Sequence, residues 1–89
     1  MADGRMRLRE DRLEWRAVGE EIVALDIQDS TYLAVGAVGA ALWPRLAEGA
    51  TLDELVAVVL DRFEVEEATA RTDIEAFLDQ LAERDLLER

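Results

Sequence analysis

Ser30 is the only serine in the chain, and histidine and cysteine are both absent. A hydroxyl nucleophile needs a neighbouring base, so a Ser/His triad is excluded. A thiolate nucleophile, a disulfide framework and a Cys- or His-ligated metal go with it. As a turn residue Ser30 needs no other role. Asp26 and Asp29 could pair for acid–base work or hold a divalent cation, but two oxygen donors on a hairpin with no EF-hand loop make a poor site. Glu64, Glu66 and Glu67 read as a solvated helix entry rather than a catalytic pair. Gly36-Ala-Val-Gly39 lacks the Gly-Lys-Ser/Thr that completes a phosphate loop, and close helix packing is the better reading. Tyr32 and Trp43 offer ring faces for stacking. Trp43, beside Leu42 and Leu46, reads as core, whereas Tyr32 stays open between the two roles. The expectation is a protein that is not an enzyme, with no cofactor and no metal.

The elements that position these residues follow from periodicity. Leu13, Trp15 and Ala17 alternate with Glu14 and Arg16, as in a half-buried strand. After a turn at Gly19-Glu20, residues 22–27 form a better strand, with Val23, Leu25 and Ile27 on one side and Ile22, Ala24 and Asp26 on the other. Asp29-Ser30 closes a tight connection, and residues 31–35 are rich in β-branched and aromatic types. Three short strands so joined make an antiparallel meander.

Three helices are expected next. The first covers about residues 36–47, with Pro44 inside it bending or ending it and Glu48-Gly49 as its stop. Thr51 and Glu54 form a capping box ahead of an apolar stripe of Leu52, Leu55, Val56, Val59, Leu60 and Phe63. The third begins near Glu66 or Glu67 and buries Ala70, Ile74, Phe77, Leu78 and Leu81. Arg84 ends it, Asp85 takes the terminating turn, and Leu86-Leu87 fold back onto the core. The fold class is α+β, winged helix-turn-helix-like: a three-stranded antiparallel sheet followed by three helices. Residues 1–12 are expected to be a flexible lead-in or an edge strand, and residues 13–89 a single domain.

The 89 residues carry a net charge of −11, which repels a phosphate backbone. The five arginines of residues 1–16 are interleaved with four acids, which favours a solvated strand edge over a nucleic-acid arm. A winged helix suggests DNA, with the third helix as reader. That helix, however, sets Asp73, Glu75, Asp79 and Glu83 against Arg71 and Arg84. No apolar signal segment opens the chain, and residues 33–43 make a run about half the length needed to span a bilayer. A soluble cytoplasmic protein is expected, with no membrane and no nucleic acid among its partners.

In order and spacing, the motifs resemble the PqqD-like proteins. The resemblance rests on Val23-Ala-Leu-Asp26, Tyr32, the small-residue helix with Gly39 and Leu42-Trp43, and Glu48-Gly-Ala-Thr-Leu-Asp-Glu-Leu55. Phe63-Glu-Val65, Asp73-Ile-Glu-Ala-Phe-Leu-Asp-Gln-Leu81 and the terminal Asp85-Leu-Leu87 continue it, over about residues 13–87. These are recognition elements for ribosomally synthesised, post-translationally modified peptides (RiPPs), and they bind the leader region of the precursor. The stand-alone size and the Leu-Trp pair look most like the precursor-binding protein of lasso-peptide biosynthesis. Two departures stand out. The family's Leu-Asn-x-Thr-Gly is here Val35-Gly36-Ala37-Val38-Gly39, which removes the capping side chains and should fix the first helix's start less tightly. Asp85 stands where glycine is usual.

The resemblance implies that the leader adds as a strand to the third strand of the meander, in a groove closed by the third helix. Carried onto this chain, the peptide-binding residues are Asp29, Ser30, Thr31, Tyr32, Leu33, Ala34 and Val35, with Arg71, Ile74, Glu75, Phe77 and Leu78 from the helix. Residues 31–35 hold no proline, as strand addition requires. Tyr32, Leu33 and Val35 would form pockets against Ile74, Phe77 and Leu78, while Arg71 and the acids beside it would select charge and register. Leu78→Glu is then expected to weaken binding and leave the fold intact. The resemblance also implies a leader-cleaving cysteine peptidase as partner, with a cyclase acting afterward. High negative charge opposes edge-to-edge pairing, so a monomer or weak dimer is expected. The alternative is a winged-helix interaction or DNA-binding regulatory domain.

Overall fold

Local hydrogen bonds set the helix boundaries. The Thr51 hydroxyl accepts the Glu54 N–H at 3.2 Å, and the Glu54 carboxylate accepts the Thr51 N–H at 2.9 Å. This reciprocal pair satisfies two donors that a helix start would otherwise orphan. The computed structural model describes residues 4–88. Its elements are β1 (Arg7–Leu8), β2 (Leu13–Val18), β3 (Glu21–Asp26), β4 (Thr31–Ala34), α1 (Ala37–Glu48), α2 (Leu52–Arg62), α3 (Glu67–Glu83) and β5 (Leu87–Glu88). The fold is α+β: the antiparallel sheet β2-β3-β4, in that spatial order, is followed by three helices.

Burial selects one face of each element. On β3 the side facing the helices is Ile22, Ala24 and Asp26, while Val23 and Ile27 are exposed. Leu42, Trp43 and Leu46 of α1, Leu55 and Val59 of α2, and Ile74 and Leu78 of α3 complete the core. Of the apolar stripe expected on α2, Leu60 is exposed and Phe63 only partly covered, since the helix meets its neighbours over a narrower arc than its sequence pattern spans.

Pro44 does not end α1, which runs through it to Glu48. Pro44 is exposed, so its ring meets solvent rather than the core. Gly36 occupies the N-cap position of α1 with no side-chain hydrogen bond, in keeping with the missing Asn and Thr.

The chain ends add a feature that periodicity does not display. β1 pairs antiparallel with β5, Leu8 opposite Leu87, and Met6 bridges to Ala50. Two-residue strands are too short to show an alternation, yet Met6, Leu8 and Leu87 are buried here. Residues 1–3 and Arg89, the outer parts of the expected lead-in and domain, lie outside the described residues. α3 closes in a Schellman motif: Leu86 N–H reaches Leu81 C=O and Asp85 N–H reaches Ala82 C=O. Asp85 there takes φ +61°, the left-handed conformation that glycine adopts without a steric penalty.

Candidate functional site: a cleft beside the free sheet edge

β4 is the last strand of the sheet and has a neighbour on one side only. Which of its backbone groups are free follows from the ladder. Ile27 N–H donates to Arg12 C=O at 3.0 Å, so at that position β3 turns its polar groups toward β2. In an antiparallel ladder this direction alternates from residue to residue. Asp26 and Ala24 therefore face β4, where they meet Thr31 and Leu33. The N–H and C=O groups of Tyr32 and Ala34 are left pointing outward, away from the sheet.

Alongside this edge lies a cleft of about 300 Å³. Leu33, Ala34 and Val35 form one wall and Tyr32 its rim; Phe77, Gln80, Leu81 and Arg84 of α3 form the other. Those four helix positions have the spacing i, i+3, i+4, i+7, which defines one face. Trp43 backs the cleft, with its ring centroid 6.3 Å from that of Phe77 and, on its other side, 6.3 Å from that of Trp15. Phe77 is thus backed by the Trp43 indole, which in turn packs edge-on against Trp15. Gly39 of α1 lets Phe77 approach, because a Cβ there would stand 2.9 Å from Phe77 Cε1.

A larger depression of about 610 Å³ lies on the outer face of the sheet, among Glu14, Arg16, Val23, Leu25 and Tyr32. It is floored by strands already paired to each other. The smaller cleft is the one that joins apolar walls to unpaired backbone, and it is the candidate site.

The expected site residues divide into three groups. Tyr32, Leu33, Ala34, Val35 and Phe77 come together at the cleft. Asp29, Ser30 and Thr31 lie at the turn entering β4. There Asp26 Oδ1 accepts the N–H groups of Gln28 and Asp29, the Thr31 hydroxyl donates to Asp29 C=O, and Ser30 sits at φ +54°. Arg71, Ile74, Glu75 and Leu78 point elsewhere. Ile74 and Leu78 are buried in the core at 0% and 3% exposure, so Leu78→Glu would bury an unpaired carboxylate and unfold the protein instead of testing the groove. Arg71 bonds Asp53 at 2.8 Å and Glu67 at 3.2 Å. These hydrogen bonds, Asp53's first, raise its pKa above the ordinary arginine value, and the one to Asp53 ties α3 to the start of α2. Glu75 borders a separate small depression with Met6 and Leu52.

Gln80, Leu81 and Arg84 were not anticipated at the site. The available signal was their helical spacing from Phe77: Gln80 and Arg84 lie next to the core stripe, and Leu81 lies on it at the margin that faces the cleft. Asp26, weighed above as an acid or a cation ligand, is 1% exposed and caps the β3–β4 turn.

The arrangement offers an extended peptide four outward backbone groups, two each at Tyr32 and Ala34. At about 1 kcal/mol net per bond, four bonds roughly offset the ordering of two or three peptide residues. Side chains entering the cleft must supply the surplus, at about 25 cal/mol per Å² of apolar surface removed from water.

The family profile of coenzyme PQQ synthesis protein D (PqqD) matches residues 21–87. No curated protein matches the chain in sequence. Among solved structures, "TbiB1 in Complex with the TbiA(beta) Leader Peptide" is similar with TM-score 0.82 and 30% identity, over 92% of this chain and 94% of that one. "Lasso peptide synthetase B1 complexed with the leader peptide" shares the fold with TM-score 0.78 at 24% identity, covering 94% and 98%. With the profile spanning most of the chain and TbiB1 alike along nearly all of it, this protein belongs to the PqqD family and is a PqqD-like RiPP recognition element.

Proposed function

We propose that this protein binds the leader region of a ribosomally synthesised precursor by strand addition at β4 and delivers it to a leader-cleaving cysteine peptidase of a lasso-peptide pathway, with a cyclase acting on the product. The observation that carries this reading is the coincidence of two features: the outward N–H and C=O groups of Tyr32 and Ala34, and an apolar cleft along the same edge. Either alone is common. Together they meet both requirements of strand addition, main-chain pairing for affinity and alternate-residue pockets for specificity. Similarity to TbiB1, solved with a leader peptide, supports the same reading.

The role is one of binding without catalysis. DNA is disfavoured because α3 presents Asp73, Glu75, Asp79 and Glu83, and its Arg71 is already held by two carboxylates. The charge of −11 adds to the repulsion.

Fluorescence anisotropy tests the reading. A labelled TbiA(beta) leader, or the leader of a lasso-type precursor from the same genome, should bind saturably, and duplex DNA should not. Salt-steep DNA binding with no leader binding would reverse the assignment. Delivery is tested by timing leader cleavage by the peptidase with and without this protein; an unchanged rate removes that half of the proposal.

A further inference from the structure

The chain has 21 acidic residues against 10 basic ones, yet among the described residues the one charged side chain that lines the cleft is positive, Arg84. It is also unengaged. Arg9 and Arg12 hold Asp85, Arg45 holds Glu54, and Arg71 holds Asp53. Among the described residues no carboxylate lies within ion-pair distance of Arg84. Arg16 and Arg62 are likewise unpaired, but they border other depressions, away from the cleft.

Position gives this charge a direction. Phe77 packs where Gly39 and Val35 meet, at the end of the cleft nearest the C-terminus of β4. Arg84 is seven residues further along α3, about 10 Å along the helix axis, at the end where Tyr32 forms the rim. A segment running antiparallel to β4 would pass Val35 first and Tyr32 last. Its apolar anchor would meet Phe77, and a position about three residues later would meet Arg84.

We infer that Arg84 selects leaders carrying an acidic side chain on the C-terminal side of the apolar anchor, with Gln80 between the two. This deepens the leader-binding reading and rests on it. A carboxylate there gains a charge-assisted partner at the one point of the cleft where the chain's excess negative charge is locally reversed.

The test uses the full chain and a panel of fluorescein-labelled twelve-residue peptides. Each has Leu, Tyr, Val or Ile at alternate central positions and Glu, Gln or Lys at one of the last four, with anisotropy as the readout. The Glu peptides should bind about three- to tenfold more tightly than their Gln partners, and added salt should narrow the gap. Arg84→Gln should erase the preference, Arg84→Lys keep part of it, and Arg84→Glu turn it toward Lys peptides. Circular dichroism checks that the variants fold, as expected for an exposed residue at a helix end. If peptides bind with no Glu preference, or Arg84→Glu leaves the preference unchanged, the assignment to Arg84 is wrong and leader binding stands. If no peptide in the panel and no natural leader binds, both fall together.

Discussion

Gly39 and Phe77 are in contact across the junction of α1 and α3, so closely that a single added carbon on the glycine would lie 2.9 Å from the ring. Phe77 is only partly buried and has the cleft on its free side. In Gly39→Ala the ring has somewhere to go, the cleft, which is the space a bound leader would need under the proposed function. Overpacking of this kind costs about 1–3 kcal/mol in general; here part of that cost should appear as lost binding. The expected outcome is a leader affinity about tenfold weaker with a small drop in melting temperature. A melting temperature that falls steeply while affinity is unaltered would place the strain in the core.

Phe77→Ala and Ile74→Ala separate wall from core. Both sit on α3, but only Phe77 lines the cleft, and Ile74 is fully buried. Phe77→Ala should reduce leader affinity tenfold or more by removing an apolar wall, roughly 2 kcal/mol by area. Ile74→Ala should cost about 2–5 kcal/mol of stability and leave the affinity of the folded fraction nearly intact. Denaturant melts alongside anisotropy would distinguish the two.

Proline substitutions test the direction of the backbone groups on β4. Ala34 N–H points outward and Leu33 N–H toward β3 by the ladder's alternation. Proline is tolerated on an edge strand where its missing donor faces solvent. Ala34→Pro should therefore keep the fold and abolish strand addition, whereas Leu33→Pro should break the sheet. Equal leader binding by Ala34→Pro and the parent protein would exclude pairing along this edge.

The acid limb of stability should depend on Glu54. Its pKa lies below the ordinary glutamate value, chiefly because its carboxylate accepts the Thr51 N–H, with Arg5 and Arg45 nearby. A carboxylate whose folded pKa is depressed contributes stability above its unfolded pKa, and that contribution is lost as pH falls through the folded value. Glu54→Gln should make the melting temperature less sensitive to pH below about 4.5, the ordinary value for a glutamate. Thermal melts from pH 6 to pH 3 would show it; parallel curves for both proteins would contradict it.

Asp85 sets conformational strain against charge. Its φ of +61° favours glycine, while its carboxylate holds Arg9 at 2.9 Å and Arg12 at 3.0 Å. The pairs are solvent-exposed on the acid's side, worth about 0–1 kcal/mol and screened by salt. Relief of strain is of similar size. Asp85→Gly should be near neutral at low salt and stabilising in 1 M salt, measured by denaturant titration at both. A loss seen at low salt and abolished in 1 M salt would mean that the ion pairs outweigh the strain; a loss that persists in 1 M salt would mean that φ +61° carries no strain that glycine relieves.

How much of this was legible before the fold was known depends on whether the signal is local. The Thr51–Glu54 box, the meander and the buried stripe of α3 are short-range patterns, and each appears at the expected positions, save that Phe77, counted into the stripe, is only partly buried and faces the cleft. The rotation of α3 against the sheet is not local. A stripe of Ala70, Ile74, Leu78 and Leu81 says that a core is faced, but not which flank of the helix lies beside β4. Arg71 was expected at the groove and Arg84 only at the end of the helix, although charge alone does not separate them. Asp53 on α2, 18 residues away, captures the first; the second remains at the cleft. Pairing of β1 with β5 was beyond reach for a related reason: the partners stand at opposite ends of the chain and each is two residues long.

The alternation along β4 has one more consequence. Leu33 and Val35 look into the cleft while Tyr32 looks out over the far face of the sheet. Any chain zipped onto this margin must present its own residues by turns, one inward, the next outward. The protein would then inspect every other letter of its ligand's text, leaving the letters between legible to a second reader approaching from the opposite side.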